Sequence, residues 1–156
     1  MTKKLNKKGT SLVELIAVIV IMGIIAGIAI PTTIAVINRQ KKNSALKSCD
    51  NILAAAKNVL LEASSDPNSA LIATGENAAT TGVVKNAAGT QYSVTEVALV
   101  TLGELEKKVS TSGTLTITLT TSGTAETGAN SFTVACDTLV VNGYTITYDN
   151  GFKVAS

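Results

Sequence analysis

Residues 7–16 read Lys7-Lys8-Gly9-Thr10-Ser11-Leu12-Val13-Glu14-Leu15-Ile16, and the chain then stays apolar as far as Ile30. From Thr10 to Asn38 the sole formal charge is Glu14. A carboxylate at the centre of a bilayer costs about 2.5–3.5 kcal/mol on insertion scales, so an acid kept inside such a run asks for a functional reason. Its place near one end of the run lowers that cost and leaves the question standing.

Leu15–Ile37 is a stretch of 23 uncharged residues. As an α-helix it is ~34 Å long, enough to cross a bilayer. An ordinary secretory signal has a shorter apolar stretch of about 7–15 residues and then a small-residue cleavage site. No Ala-x-Ala site followed by an obvious mature start is present here. Lys3, Lys4, Lys7 and Lys8 flank the run on one side, and Arg39, Lys41 and Lys42 on the other. That is a weak positive-inside bias. The short leader is easier to retain inside than a tail of more than a hundred residues, which places the tail outside.

Composition narrows the remaining choices. The 156 residues suffice for an N-terminal segment and one modest domain. Downstream of the apolar run the chain is rich in Thr, Ser, Ala, Gly and Asn, with three Tyr, two Phe and no Trp in the whole sequence. Its core is therefore aliphatic and thin, and must pack against a second element. The net charge is +2, but removing the four leader lysines leaves nine basic residues against eleven acidic ones, a balance of −2. No basic patch or aromatic platform for nucleic acid is evident. Histidine is absent, which excludes histidine-based catalysis, and two cysteines cannot fill a tetrahedral metal shell.

Lys-Lys-Gly followed by Thr-Ser-Leu-Val-Glu-Leu-Ile, then a long apolar run interrupted by Pro31, resembles a type IV prepilin. The resemblance covers the first forty residues. It implies that a prepilin peptidase cuts between Gly9 and Thr10 on the cytoplasmic side, and that the new amine of Thr10 is methylated. The family most often has Phe where this chain has Thr10. Glu14 becomes the fifth mature residue, where the family carries its glutamate, and Pro31 falls at the family's helix-bending proline. The partners implied are further copies of the chain, minor pilins, the peptidase and methylase, a pilus assembly platform in the cytoplasmic membrane, and membrane lipid before assembly.

Glu14 has a physical reading beside this one. Cleavage creates a cationic amine at Thr10 about one helical turn away, and the amine of an incoming subunit can instead pair with Glu14 of a neighbour. In low dielectric such a pair is strongly preferred to leaving either charge alone, and it sets the axial register of one subunit on the next. Gly23 and Gly27 form a Gly-x-x-x-Gly pair that allows close helix approach. Pro31 removes a backbone donor and is expected to bend or loosen the helix, with Gly27 and Pro31 marking where it melts on assembly.

After Asn38 the pattern turns amphipathic. Leu46, Cys49, Leu53, Ala56, Leu60 and Ala63, flanked by Ala45, Ile52 and Val59, make one apolar face. Ser64–Pro67 predicts its end. Residues 64–93 show little periodicity and read as a long surface connection. Thr101-Leu102-Gly103-Glu104 fits a capping box opening a short helix over Thr101–Val109; Val94–Val100 just before it fits helix or strand. Thr114–Thr120 alternates, placing Leu115, Ile117 and Leu119 on one face. Phe132, Val134 and Cys136 share a face, as do Tyr144, Ile146 and Tyr148, with Phe152 and Val154 following. Asn142-Gly143 and Asn150-Gly151 are tight-turn signals. The expectation is an α+β, type IV pilin-like fold: a long N-terminal α-helix, transmembrane then amphipathic, packed on about four antiparallel strands. Its parts are a leader (1–9), an apolar transmembrane or filament-core helix (10–38), an amphipathic helix (39–63) and a globular head (64–156).

Cys49 on the stem and Cys136 on a strand are expected to point into the same interface. Outside the cytoplasm they can form a disulfide worth about 4–5 kcal/mol on the chain-entropy model; the alternative is two buried thiols. Asp137, Asp149 and Asn150 match no calcium loop, and turn chemistry accounts for Asp149-Asn150-Gly151. No metal or cofactor is expected, and no nucleophile has a plausible base, so the chain reads as structural rather than enzymatic. The function expected is a type IV pilus subunit, inserted in the cytoplasmic membrane as precursor and extracellular once assembled, serving adhesion, surface motility or DNA uptake. The alternatives are a pseudopilin of a type II secretion or competence apparatus, and a monomeric membrane-anchored binding domain.

Overall fold

The computed structural model describes residues 11–66, 68–121 and 130–155; the leader 1–9, the Gly9–Thr10 junction and Pro67 lie outside the described residues. The fold is α+β. A long helix, α1 (Leu12–Ser65), is followed by α2 (Ala78–Thr81), β1 (Val84–Lys85), β2 (Gln91–Thr95), α3 (Glu96–Thr101), β3 (Ser110–Thr120), β4 (Ser131–Val141), β5 (Tyr144–Tyr148) and β6 (Phe152–Val154). The chain divides after Gln40 into two units.

In the first unit every described residue of α1 is exposed and the run is apolar all round, the pattern of a helix whose surroundings are lipid or other helices. It continues unbroken through Pro31. Proline offers no N–H to the Gly27 carbonyl, and the hydroxyls of the next two residues bond to the carbonyls that follow it. The Thr32 hydroxyl donates to the carbonyls of Ala29 at 2.9 Å and Ile28 at 3.3 Å, and the Thr33 hydroxyl donates to Ala29 at 2.8 Å. Threonine back-bonding of this kind slightly weakens a helix and favours bending, which adds to the missing donor at Pro31.

In the second unit the rest of α1 lies on a six-stranded antiparallel sheet of order β1-β2-β3-β4-β5-β6. Ala45, Cys49, Ile52, Ala56, Val59, Leu60 and Ala63 are buried, while Leu46 and Leu53 are only partly so. The buried stripe is thus centred on the Ala45–Cys49–Ile52 line, slightly to one side of the Leu46–Leu53 line. Opposite it lie Leu115, Ile117 and Leu119 of β3, all fully buried, with Val94, Leu139, Val141 and Ile146 beside them. In the β3–β4 register Leu115 faces Cys136, Ile117 faces Val134 and Leu119 faces Phe132. The period-2 alternation of both strands therefore builds one apolar floor for the helix.

Three expectations are corrected. The sheet has six strands rather than about four, because β1 and the first part of β2 arise within the stretch 64–93 expected to be a long surface connection. Val83 there is fully buried, and its N–H and C=O pair with Leu71 and Ala73 at 2.8 and 2.9 Å. Gly82 makes this possible, since a Cβ would lie 2.6 Å from the Leu71 carbonyl oxygen. Thr101–Val109 is not a helix. The helix lies earlier, at α3, and Thr95 is its cap, accepting the Ala98 N–H. Thr101-Leu102-Gly103-Glu104 closes it instead: Gly103 has φ +82°, the Glu104 N–H reaches the Leu99 carbonyl at 3.0 Å and the Gly103 N–H reaches Val100 at 3.1 Å. That is a Schellman ending, for which glycine in the left-handed region is the usual residue.

Candidate functional site

The candidate site is the outer surface of the first part of α1. The helix opens with the Ser11 carbonyl accepting the Leu15 N–H at 3.1 Å, which places Glu14 in the first turn, exposed. A negative side chain there is favoured by the unpaired N–H groups and dipole at a helix N-terminus. Around it Leu12 and Val13 are 72% and 73% exposed, and large aliphatic side chains continue uncovered to Ile37. At roughly 25 cal/mol per Å² of apolar surface, water is a poor final solvent for such a stretch. Lipid or other helices must replace it.

Gly23, Gly27 and Pro31 follow one another at four-residue steps, so they lie along one side of the helix. A Cβ placed on either glycine meets nothing within 4 Å, so the backbone is open to an approaching partner. At about 100° per residue, Gly23 sits about 180° around the axis from Glu14. The carboxylate and Gly23 therefore lie on opposite sides of the helix.

Comparison with known proteins supplies the decisive observation: residues 4–30 match the family described as the prokaryotic N-terminal methylation motif. The chain carries a type IV pilin-like class III signal peptide. No match is found among curated proteins or solved structures. The matched residues include Gly9, Thr10, Glu14, Gly23 and Gly27, and end one residue before Pro31. The motif supports a precursor of pilin-like or pseudopilin type and implies processing by a prepilin peptidase. Among the described residues one helix, α1, is long and apolar enough to cross a membrane, which fits anchoring of a precursor.

The head carries the other residues singled out by sequence. Cys49 is fully buried on α1, and Cys136 is half-buried on β4; both are free thiols in the structure. Burial, with Cys136, Glu96 and Asp50 nearby, pushes the Cys49 thiol from an ordinary 9.0 up to about 12. Burial also raises Cys136. Asp149 pairs with Lys153 at 2.9 Å, and that hydrogen bond and charge hold its carboxyl below the ordinary range.

Sequence reasoning missed Glu96. It opens α3, is 2% exposed, and accepts the Val109 N–H at 2.5 Å, the Ser110 N–H at 3.0 Å and the Ser110 hydroxyl. A carboxylate with three donors is a satisfied buried charge, which here fixes the start of β3. The only sequence signal was an acid directly after a Thr cap. A shallow cavity of about 170 Å³, lined by Ala79, Thr80, Thr95, Lys108 and Leu115 among others, lies beside it.

Proposed function

We propose that this chain is the structural subunit of a type IV pilus, polymerising through α1 into an extracellular filament. The observation that supports this most is a class III signal followed by an exposed apolar stretch of α1, residues 12–38, whose single acid stands in the first turn. In this proposal a prepilin peptidase cuts after Gly9, and the amine of Thr10 is methylated. The precursor is held in the cytoplasmic membrane by residues 10–38, with the head outside. On assembly the lipid around α1 is exchanged for neighbouring helices, and the Thr10 amine of the incoming subunit neutralises Glu14 of one already in place. Charge pairing is most discriminating where water is excluded, because an unpaired partner there retains its full desolvation cost.

The Gly23–Gly27–Pro31 side takes a second neighbour in the same proposal. Glycines allow backbones to approach, and the missing N–H at Pro31 makes this the cheapest segment to unwind when helices crowd together. Residues 39–63 carry the helix into the head, and residues 64–156 form the filament surface available for adhesion, surface motility or DNA uptake.

Electron microscopy of sheared surface material from the producing cell is the test. Long filaments containing this chain, lost in a Glu14→Ala background, are expected. Filaments that stay short and cell-bound, with export or transformation failing when the chain is deleted, would instead establish a secretion or competence pseudopilus. A chain displayed equally well with Ala at position 14 would be a monomeric anchor.

A further inference from the structure

β4 is paired along its whole length on one side only. β3 accompanies it from Ser131 to Val141, but β5 pairs only with Leu139, Val140 and Val141. Ser131–Thr138 therefore has no strand on its other side among the described residues. Such an edge is held by one ladder and by whatever its side chains rest on. Phe132, Val134 and Cys136 all face the core, and α1 is the element beneath.

The contact between this edge and α1 has a definite register. At one end the Lys57 ammonium stands 5.4 Å from the Phe132 ring centroid. From Lys57 back to Cys49 is two turns of helix, about 12 Å. From Phe132 forward to Cys136 is four residues of strand, about 13 Å. Ile52 lines a cavity with Val109, just before β3 begins, while Lys57 meets Phe132 opposite Leu119 near the end of β3. The helix α1 therefore runs along β3 and against β4, and equal steps from the Lys57–Phe132 contact lead toward Cys49 and Cys136. Ala45, one turn before Cys49, is fully buried and small, leaving the helix free to approach the strand.

We propose that Cys49 and Cys136 are the two ends of a disulfide that closes outside the cytoplasm and staples the open edge of β4 to α1. This rests on the functional reading above for its compartment alone. The oxidant is a disulfide, either of a thiol-oxidising protein or of a small molecule. It first forms a mixed disulfide with Cys136, the half-buried thiol, releasing one thiol of its own. The Cys49 sulfur then displaces the second thiol as the Cys49–Cys136 bond forms. Two protons and two electrons leave the pair, and the oxidant's bond is reduced to two thiols. Burial keeps both sulfurs protonated at neutral pH, so closure in the folded chain is slow and accelerates as pH rises.

The test uses the full-length chain, purified in detergent under reducing conditions and then treated with oxidised glutathione. After denaturation and alkylation, mass spectrometry is expected to find no alkylated cysteine, no retained glutathione, and one cross-linked peptide pair joining residues 49 and 136. Rates of closure are expected to rise between pH 7 and 9. Cys49→Ser is expected to trap glutathione on Cys136 without closure. Glutathione persisting on Cys136 of the wild-type chain, or dimers linked between copies, would overturn the proposal. Leader cleavage is scored separately, so a chain that closes the bridge yet starts at Met1 contradicts the pilus reading and leaves the bridge intact.

Discussion

Glu96 accepts both the backbone N–H and the hydroxyl of Ser110, tying the first residue of α3 to the first residue of β3. The loop between them carries no regular structure, so this carboxylate defines where the longest ladder of the sheet begins. Removing the acceptor leaves the Val109 and Ser110 amides facing a void. Glu96→Ala is expected to lower unfolding free energy by about 3 kcal/mol, and Glu96→Gln, which keeps one acceptor oxygen, by about 1 kcal/mol. Urea denaturation checks this, and equal midpoints for wild type and Glu96→Ala would contradict it.

Gly113 interrupts β3 opposite an irregular step in β4. Its φ is +82°, its partner segment holds Thr138 at φ 44°, and a Cβ would lie 2.5 Å from the Asp137 carbonyl oxygen and in collision with that of Thr138. Gly113→Ala is expected to cost at least about 2 kcal/mol, from backbone strain together with the clash. Gly103→Ala, at the same φ of +82° with open space around it, is expected to cost about half as much. A thermal-melt comparison of the two variants separates crowding from strain.

The reduced protein is expected to lose stability at alkaline pH. Cys49 titrates at 9.0 when unperturbed and at about 12 in the fold. Between those values the unfolded chain releases a proton that the folded chain retains, so stability falls as pH rises through that window. Burial raises Cys136 in the same direction, so Cys49→Ala should weaken this dependence and closure of the bridge, which removes both thiols, should abolish it. Asp149 acts oppositely: its lowered carboxyl favours the fold above the ordinary range and that contribution is lost as pH falls, to a small extent because the pair with Lys153 is exposed.

Much of this was legible from the residues. Alternation at Leu115, Ile117 and Leu119 and spacing from Ala45 to Ala63 describe surfaces that must be covered, and one covers the other. Asn142-Gly143 gave its hairpin because Asn142 and Gly143 both need positive φ, as found at 53° and 82°. Illegible were features fixed by partners far along the chain. The fit of Gly82 against Leu71 and the three donors meeting Glu96 leave no periodic trace. Thr101-Leu102-Gly103-Glu104 misled because a Thr-x-x-Glu spacing also occurs where glycine ends a helix. For α1, the lone acid and the glycines were each visible, and the spacing of Glu14 and Gly23 already places them on opposite sides of a helix.

Glu14→Gln is expected to leave leader removal intact and reduce the polymerised fraction at least about tenfold when the variant is the sole copy, since a desolvated pair in register loses one charge. Fractionation of sheared surface material and membranes measures this. Co-expression with wild-type chain should restore part of the incorporation. Equal surface yield from the variant alone would contradict charge pairing as the source of axial register.

The most direct measurement is the intact mass and N-terminal sequence of the chain recovered from the cell surface. A polypeptide that begins at Thr10 and is one methyl group heavier than its sequence mass is the predicted result. A polypeptide recovered with Met1 and the leader lysines still attached would contradict processing, and with it the pairing of a new amine with Glu14.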